Sequence, residues 1–243
     1  MNPAEYQARR VAGFAGTVCV VFDVLRATSV IVTGLANGAR AFVPVEEISD
    51  ALSLRGKSSD VLLAGERDGL RITAQLTGGV DFDFGNSPRE YTAERVAGRT
   101  IISTTTNGTR ALRVCSSAQA VLCGAFLNLS AVAGWILSHE VSRVVLVCAG
   151  TGESEAAEDV LCAGALAASL LRSAECDLTS AARVALERYR AAEGGLLDAL
   201  RSSTNGRRLM SNADLRDDVA FCAQLDIHGI VPMMDHDGRI SLT

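Results

Sequence analysis

Lysine is almost missing from this chain: of its 23 basic residues only Lys57 is one, and the others are arginines. Genomic base composition is the plain reading of that bias. Its functional corollary is that any anion clamp here must use arginine, whose planar fork pairs two oxygens at once. Aromatics are scarce too, at 5%, and the net charge is −5. No basic tract with interleaved aromatics exists, so the footprint that neutralises phosphates along a strand is missing and nucleic acid is not an expected partner. An acidic chain still accommodates a small anion, because a local pocket decides that and not the total.

The seven cysteines (Cys19, Cys115, Cys123, Cys148, Cys162, Cys176 and Cys222) are odd in number and scattered singly, with no C-x-x-C pair. Neither a disulfide framework nor a zinc knuckle is indicated. The first thirty residues lack a charged start followed by an apolar run and a cleavage site. No apolar run reaches transmembrane length. A reduced, cytoplasmic protein with no membrane partner is the expectation. No Pro/Ser-rich linker and no internal repeat divides the chain, which reads as a single domain over 1–243 with a two-lobed shape left open.

What is present suits a packed enzyme-sized core. Apolar residues make up 48% and charged residues 21%, ordinary for a globular chain and unlike a disordered one. A chain this long buries roughly 70–75% of its unfolded surface. Strand-type runs fall at 17–22, 41–45, 61–64, 100–103, 120–122, 143–147 and 230–233. Helical patterns lie between them at 27–37, 46–55, 109–117, 130–139, 159–171 and 179–192. Alternation of this kind predicts an α/β fold, a layered sheet flanked by helices and compact, with a helical C-terminal third from 159 to 224. The apolar run at 144–147 suits a strand covered on both faces. The segment 78–84 reads as a surface excursion.

Polar residues recur directly after these strands, where α/β folds bind ligands. Asp23-Val24-Leu25-Arg26-Ala27-Thr28-Ser29 offers a carboxylate for metal ligation or attack and an arginine at a helix start, where an anion is favoured; a capping Asp23 and a surface-paired Arg26 explain it equally. Gly65-Glu66-Arg67-Asp68-Gly69 offers a hard oxygen ligand beside an anion fork, or simply a tight turn. Phe84-Gly85-Asn86-Ser87-Pro88 opens a helix with Ser87 as N-cap and Pro88 at N1, leaving Asn86 without a helical job. Thr104-Thr105-Thr106-Asn107-Gly108-Thr109-Arg110 is the strongest signal. Hydroxyls, backbone N–H groups and a helix dipole would converge there on a phosphate, and one cap needs one hydroxyl, not four. Gly108 would let the backbone approach closely. Cys148-Ala149-Gly150-Thr151-Gly152 is followed by Glu158-Asp159 at a helix start, which are dipole complements or shared ligands of a hard metal. Cys148 as a nucleophile is the weaker reading, since apolar strand-end cysteines are mostly inert.

Other motifs fail on inspection. Gly56-Lys57-Ser58 imitates the end of a P-loop, but Ala51 stands at the earlier glycine and a helix precedes it. Asp23-Val24-Leu25 lacks the second Asp of haloacid-dehalogenase phosphatases. His139, His228 and His236 lie outside every constellation, which disfavours phosphohistidine chemistry and a zinc hydrolase.

Together and in this order, Asp23–Ser29, Gly65-Glu66-Arg67, Gly85-Asn86-Ser87-Pro88, Thr104–Arg110, Cys148-Ala149-Gly150 and Glu158-Asp159 with Cys162-Ala163-Gly164 resemble the 2-phosphosulfolactate phosphatase family, from about Thr17 to Pro232. The resemblance implies an α/β fold of its own type and magnesium-dependent hydrolysis of 2-phospho-3-sulfolactate to sulfolactate and phosphate, as in coenzyme M biosynthesis. Residues 75–81 lengthen the path between two motifs and the segment after Gly150 is unusual, so a related phosphorylated 2-hydroxy acid stays open as substrate. On this view Mg2+ is held by one or two of Asp23, Glu66, Glu158 and Asp159. Asp23, Arg26, Glu66, Arg67 and Glu158 carry the catalysis, with Asp23 or Glu158 attacking or deprotonating water. Thr28, Asn86, Ser87, the loop Thr104, Thr105, Thr106, Asn107, Gly108, Thr109 and Arg110, and Cys148 contact the substrate. The expected partner is a small anionic phosphorylated substrate, with a homodimer left open. A non-catalytic sensor of anionic metabolites and a metal-dependent isomerase or aldolase remain rivals; a phosphate-release assay with product analysis separates all three.

Overall fold

The computed structural model describes residues 1–9, 13–56 and 60–242; Lys57 and Ser58 of the P-loop imitation lie outside them. Among the described residues nine strands form one sheet: β1 Val18–Phe22, β2 Ala41–Pro44, β3 Val61–Arg67, β4 Leu70–Arg71, β5 Thr100–Thr104, β6 Ala120–Gly124, β7 Val144–Cys148, β8 Pro232–Met234 and β9 Ile240–Leu242. Their order is β4-β3-β5-β2-β9-β8-β6-β1-β7. Two parallel trios stand out, β3-β5-β2 and β6-β1-β7. The antiparallel hairpin β8–β9 joins them, and it meets β2 through the single pair Phe42–Ile240. The mixed α/β class and the helical C-terminal region follow the sequence expectation, the latter as the helices Ala157–Ser173, Ser180–Ala192, Leu196–Ser202, Thr204–Met210 and Arg216–Cys222.

Strand β1 shows why the layers form. Its five residues are all buried, and alternate side chains enter opposite cores. Val18, Val20 and Phe22 pack with the helices Leu129–Ser138 and Ala157–Ser173, whereas Cys19 and Val21 pack on the side of the helices Ala27–Ala36 and Gly108–Val114. Each such apolar side chain contributes about 1.5–3 kcal/mol when fully buried. Gly164 lets the backbone of the neighbouring helix approach at Ala185, where any side chain would collide. No helix among the described residues is long and apolar enough to cross a membrane.

Three local expectations need correction. β7 is an edge strand, half-buried over Val144–Leu146, because an apolar run alone cannot tell an edge from a centre. The chain's own Met1 covers part of that edge, its amino group donating to Leu146 O and its carbonyl accepting from Cys148 N. The segment 78–84 is not all surface: Phe82 and Phe84 are buried, and the Phe84 N–H donates to the Leu63 carbonyl alongside β3. The last apolar run is placed at Pro232–Met234, and β9 extends beyond every expected strand.

Candidate active site

The carboxyl ends of β1, β3, β5 and β7 open onto one cleft of about 120 Å³. It lies outside the carboxyl ends of parallel strands, as ligand sites in open α/β sheets do, and takes residues from both trios. Asp23, Arg26, Glu66, Asn86, Thr105, Thr106, Asn107, Glu158 and Asp159 all line it. Four expected acids and three residues of the threonine loop are thus brought together from four separate motifs.

Asp23 follows β1. Its Oδ1 accepts from Ala27 N at 3.1 Å, and its own N–H donates to Thr28 Oγ1 at 3.0 Å, so Thr28 shapes the turn and is itself fully buried. Asp23 Oδ2 takes no hydrogen bond among the described residues and faces Gly108: a Cβ on that glycine would stand 2.7 Å from it. Here the glycine serves close approach between a helix start and a carboxylate. Asp159 accepts from Val24 N at 2.9 Å and Gly150 N at 3.0 Å, tying together the turns after β1 and β7. Its neighbour Glu158 has Oε1 held by Asn205 Nδ2 at 2.6 Å, while Oε2 is buried with no partner among the described residues.

Across the cleft the polar groups are satisfied by the chain. Glu66 Oε1 accepts from both the N–H and the hydroxyl of Thr106 at 2.9 Å, and Oε2 from Gly69 N at 2.7 Å. Thr105 and Thr109 cap each other: Thr105 N donates to Thr109 Oγ1 and Thr109 N to Thr105 Oγ1. Thr104 donates to Glu46 O and accepts from Arg67. Arg67 directs its terminal nitrogens to the carbonyls of Glu66, Thr104 and Glu46 and to that hydroxyl. Asn107 Oδ1 accepts from Gly152 N at 3.1 Å. The N–H groups of Asn107 and Gly108 have no hydrogen bond among the described residues.

Several expected residues stand apart. Thr28, Arg67, Ser87, Thr104, Gly108, Thr109, Arg110 and Cys148 do not line the cleft. Arg110 faces Glu153 at 3.6 Å on the surface. Ser87 makes no cap bond, although Pro88 does occupy the first helical turn; its hydroxyl goes to Asp218 Oδ1 at 2.6 Å. Burial pushes the Cys148 thiol up to about 12, so it holds no thiolate near neutrality. Arg26 does line the cleft, but its Nη1 is paired with buried Asp218 at 2.7 Å and its Nη2 donates to Gly69 O at 2.7 Å.

Burial, and then Glu66 and Glu158 nearby, raise Asp23 to about 7. Burial likewise raises Asp159, with Asp23 and Glu158 adding to it. Crowded acids in low dielectric call for a cation. Among the described residues no three His, Cys, Asp or Glu side chains form a ready-made cage. A hard cation such as Mg2+ does not need one, since it takes one or two carboxylates and keeps water or phosphate for the remaining positions. The orphaned Glu158 Oε2 beside Asp23 suits that ligand set.

The sequence reading missed Asn205, Arg208 and Asp218, all from the helical C-terminal region. Asn205 also donates to Thr151 Oγ1 at 2.8 Å, and Arg208 lines the cleft. Asp218 gathers Arg26, Ser87 and Arg89. None follows a strand, so the strand-end rule could not find them; an acid at a helix start facing an unpaired Arg26 was the available signal for Asp218.

A family model described as 2-phosphosulpholactate phosphatase matches residues 3–237. A "Probable 2-phosphosulfolactate phosphatase" of Caldanaerobacter subterraneus is 41% identical over 218 residues, covering 88% of this chain and 86% of the relative. Proteins described in the same words from Pseudothermotoga lettingae and Symbiobacterium thermophilum are 40% and 39% identical; the first match covers 90% of both chains, the second 94% of this one and 95% of the relative.

Proposed function

The chain belongs to the 2-phosphosulfolactate phosphatase family, phosphoric monoester hydrolases, and we propose that it releases phosphate from 2-phospho-3-sulfolactate or a close phosphorylated 2-hydroxy acid with the help of Mg2+. One observation carries the reading. Five carboxylates line one cleft, and of the four buried ones, Asp23, Glu66, Glu158 and Asp159, only Asp23 Oδ2 and Glu158 Oε2 lack a hydrogen bond among the described residues. Those two are the groups free to act on a ligand.

Phosphate monoester hydrolysis is so slow unaided that enzymes supply up to about 10²¹-fold acceleration, chiefly by positioning and charge neutralisation. The unbonded N–H groups of Asn107 and Gly108 receive phosphoryl oxygens at the start of the helix Gly108–Val114. Asp23, beside them and raised to about 7, has the basicity suited to taking a proton from water near neutral pH. As water attacks phosphorus and the ester P–O bond breaks, that proton passes to Asp23 and then to the departing alkoxide, giving the hydroxy acid and phosphate. Asn205 holds the Glu158 carboxylate through Oε1 and leaves Oε2 without a partner among the described residues. Glu158 would hold Mg2+ there, and the ion would neutralise charge on the transferring phosphoryl group.

The test is phosphate release from 2-phosphosulfolactate with Mg2+ and again after chelation, with phospholactate and phosphoglycolate in parallel. Metal-dependent release is expected, fastest from 2-phosphosulfolactate. No release from any of the three sinks the phosphatase reading, and release unchanged by chelation sinks the metal.

A further inference from the structure

The cleft is lined by five acids, Asp23, Glu66, Asp68, Glu158 and Asp159, and by two arginines, Arg26 and Arg208. Catalysis at the phosphate leaves a second problem. The substrate class proposed above, on which this inference rests, carries further negative charge on its carboxylate or sulfonate, and an acidic cleft repels it. A cation must meet that end. Arg26 is buried, and its terminal nitrogens are committed to Asp218 and to Gly69 O. Arg208 is different: its side chain is 53% exposed, and its partner among the described residues is Asp68, 96% exposed, at 3.5 Å. An exposed pair of this kind is held weakly.

We propose that Arg208 selects the acid end of the substrate. Its guanidinium leaves Asp68 and grips the carboxylate or sulfonate while the phosphate lies at the start of the helix Gly108–Val114. Position supports this. Arg208 stands three residues after Asn205 on the helix Thr204–Met210, and residues so spaced lie on one face about 5–6 Å apart. Asn205 is the residue that holds Glu158. The acid end is therefore read one helical turn from the residue that holds Glu158, within the same cleft as the catalytic acids. Asp68 in this arrangement is a placeholder that keeps the guanidinium over the cleft until a better anion displaces it. A fork with two parallel donors suits either a carboxylate or a sulfonate.

The experiment uses the whole protein and its Arg208→Ala, Arg208→Lys and Asp68→Asn variants. Asp68 has φ +55°, a conformation that asparagine also tolerates. Sulfolactate binding is measured by calorimetry, and kcat and KM are measured for 2-phosphosulfolactate and for isopropyl phosphate, which lacks the acid groups. Arg208→Ala should weaken sulfolactate about ten- to hundred-fold and lower kcat/KM for 2-phosphosulfolactate by a similar factor, mainly through KM. Isopropyl phosphate should change by less than about two-fold. Arg208→Lys should recover part of the loss, and Asp68→Asn should tighten sulfolactate. Unchanged sulfolactate binding in Arg208→Ala overturns the proposal, as does wild-type protein that binds none, or a parallel fall with isopropyl phosphate. Sulfolactate binding that depends on Arg208 without any phosphate release would keep this inference and sink the phosphatase reading alone.

Discussion

The two banks of the cleft treat their acids differently. On the β3–β5 bank, Glu66 has both oxygens engaged by Thr106 and Gly69, the loop's Thr105 and Thr109 cap each other, and Arg67 is turned to backbone carbonyls. On the β1–β7 bank, Asp159 is likewise engaged, but Asp23 and Glu158 each leave one oxygen without a donor. An unsatisfied buried acid costs stability. A fold that keeps Glu158 Oε2 buried without a partner among the described residues, with Asp23 Oδ2 also unbonded at the same cleft, is holding them for a ligand, whereas a fully bonded acid is holding the chain. Function on one bank and architecture on the other should separate experimentally.

The largest separation is expected at Asp23. Asp23→Asn keeps the Oδ1 acceptor for Ala27 but loses the base, so turnover should fall about 10²- to 10⁴-fold while the far-UV spectrum stays native. Stability should move the other way. The ordinary value of this carboxyl is 3.8 and the folded value is raised to about 7, so the folded state binds the extra proton between those limits. Asp23's share of the metal-free protein's stability therefore falls as pH rises from about 4 to about 7, and Asp159, also raised, adds to the slope. Asn at 23 should make this slope shallower, and denaturant melts across that range measure it. A slope as steep in Asp23→Asn as in wild type would break the distinction between the banks.

Asp218 is the converse case. It has no exposed surface and binds Arg26 and Arg89, so Asp218→Ala leaves a buried guanidinium unpaired. About 3–5 kcal/mol of stability should go, seen as a lower denaturant midpoint. Residual activity per folded molecule should exceed that of Asp23→Asn. Equal losses in both would mean that Arg26 acts on substrate and not as a brace.

This contrast also explains what the sequence made legible. The strand-end rule found Asp23, Glu66, Glu158, Asp159 and the 104–110 loop, because the carboxyl end of a strand tells where the next residues lie. It could not tell direction. Arg67 and Arg110 occupy the same kind of position as Arg26, yet one turns back to carbonyls and another to Glu153 on the surface. Nor could it find Asn205, Arg208 and Asp218, which reach the cleft by packing of helices far along the chain. In the fold, the parallel strands were visible as apolar runs. β9 was not, since three residues, Ile240, Ser241 and Leu242, carry too little pattern, and its identity rests on pairing with β8.

Glu66→Gln tests the architectural bank more gently. Gln offers one acceptor where the carboxylate offers two, so either Thr106 or Gly69 N meets an N–H donor. A loss of about 1–3 kcal/mol is expected, with turnover falling only as far as the threonine loop shifts. A loss of activity as deep as that of Asp23→Asn, with stability unchanged, would move Glu66 to the functional bank.

The smallest effect is expected at Thr105, and it is the most discriminating because two accounts of the loop disagree there. If the threonine hydroxyls grip phosphate, Thr105→Ala should abolish turnover and spare the fold. The structure instead directs the Thr105 hydroxyl to Thr109, with the two side-chain oxygens 3.2 Å apart and each accepting the other residue's N–H. That is a reciprocal cap, and removing such a cap costs about 1 kcal/mol. Thr105→Ala should thus lower the denaturant midpoint modestly. Its kcat should fall only to the extent that the N–H groups of Asn107 and Gly108 lose their aim, and Thr105→Ser should restore both. Complete loss of phosphate release with an unmoved midpoint would return Thr105 to the substrate and show that its hydroxyl exchanges Thr109 for the anion.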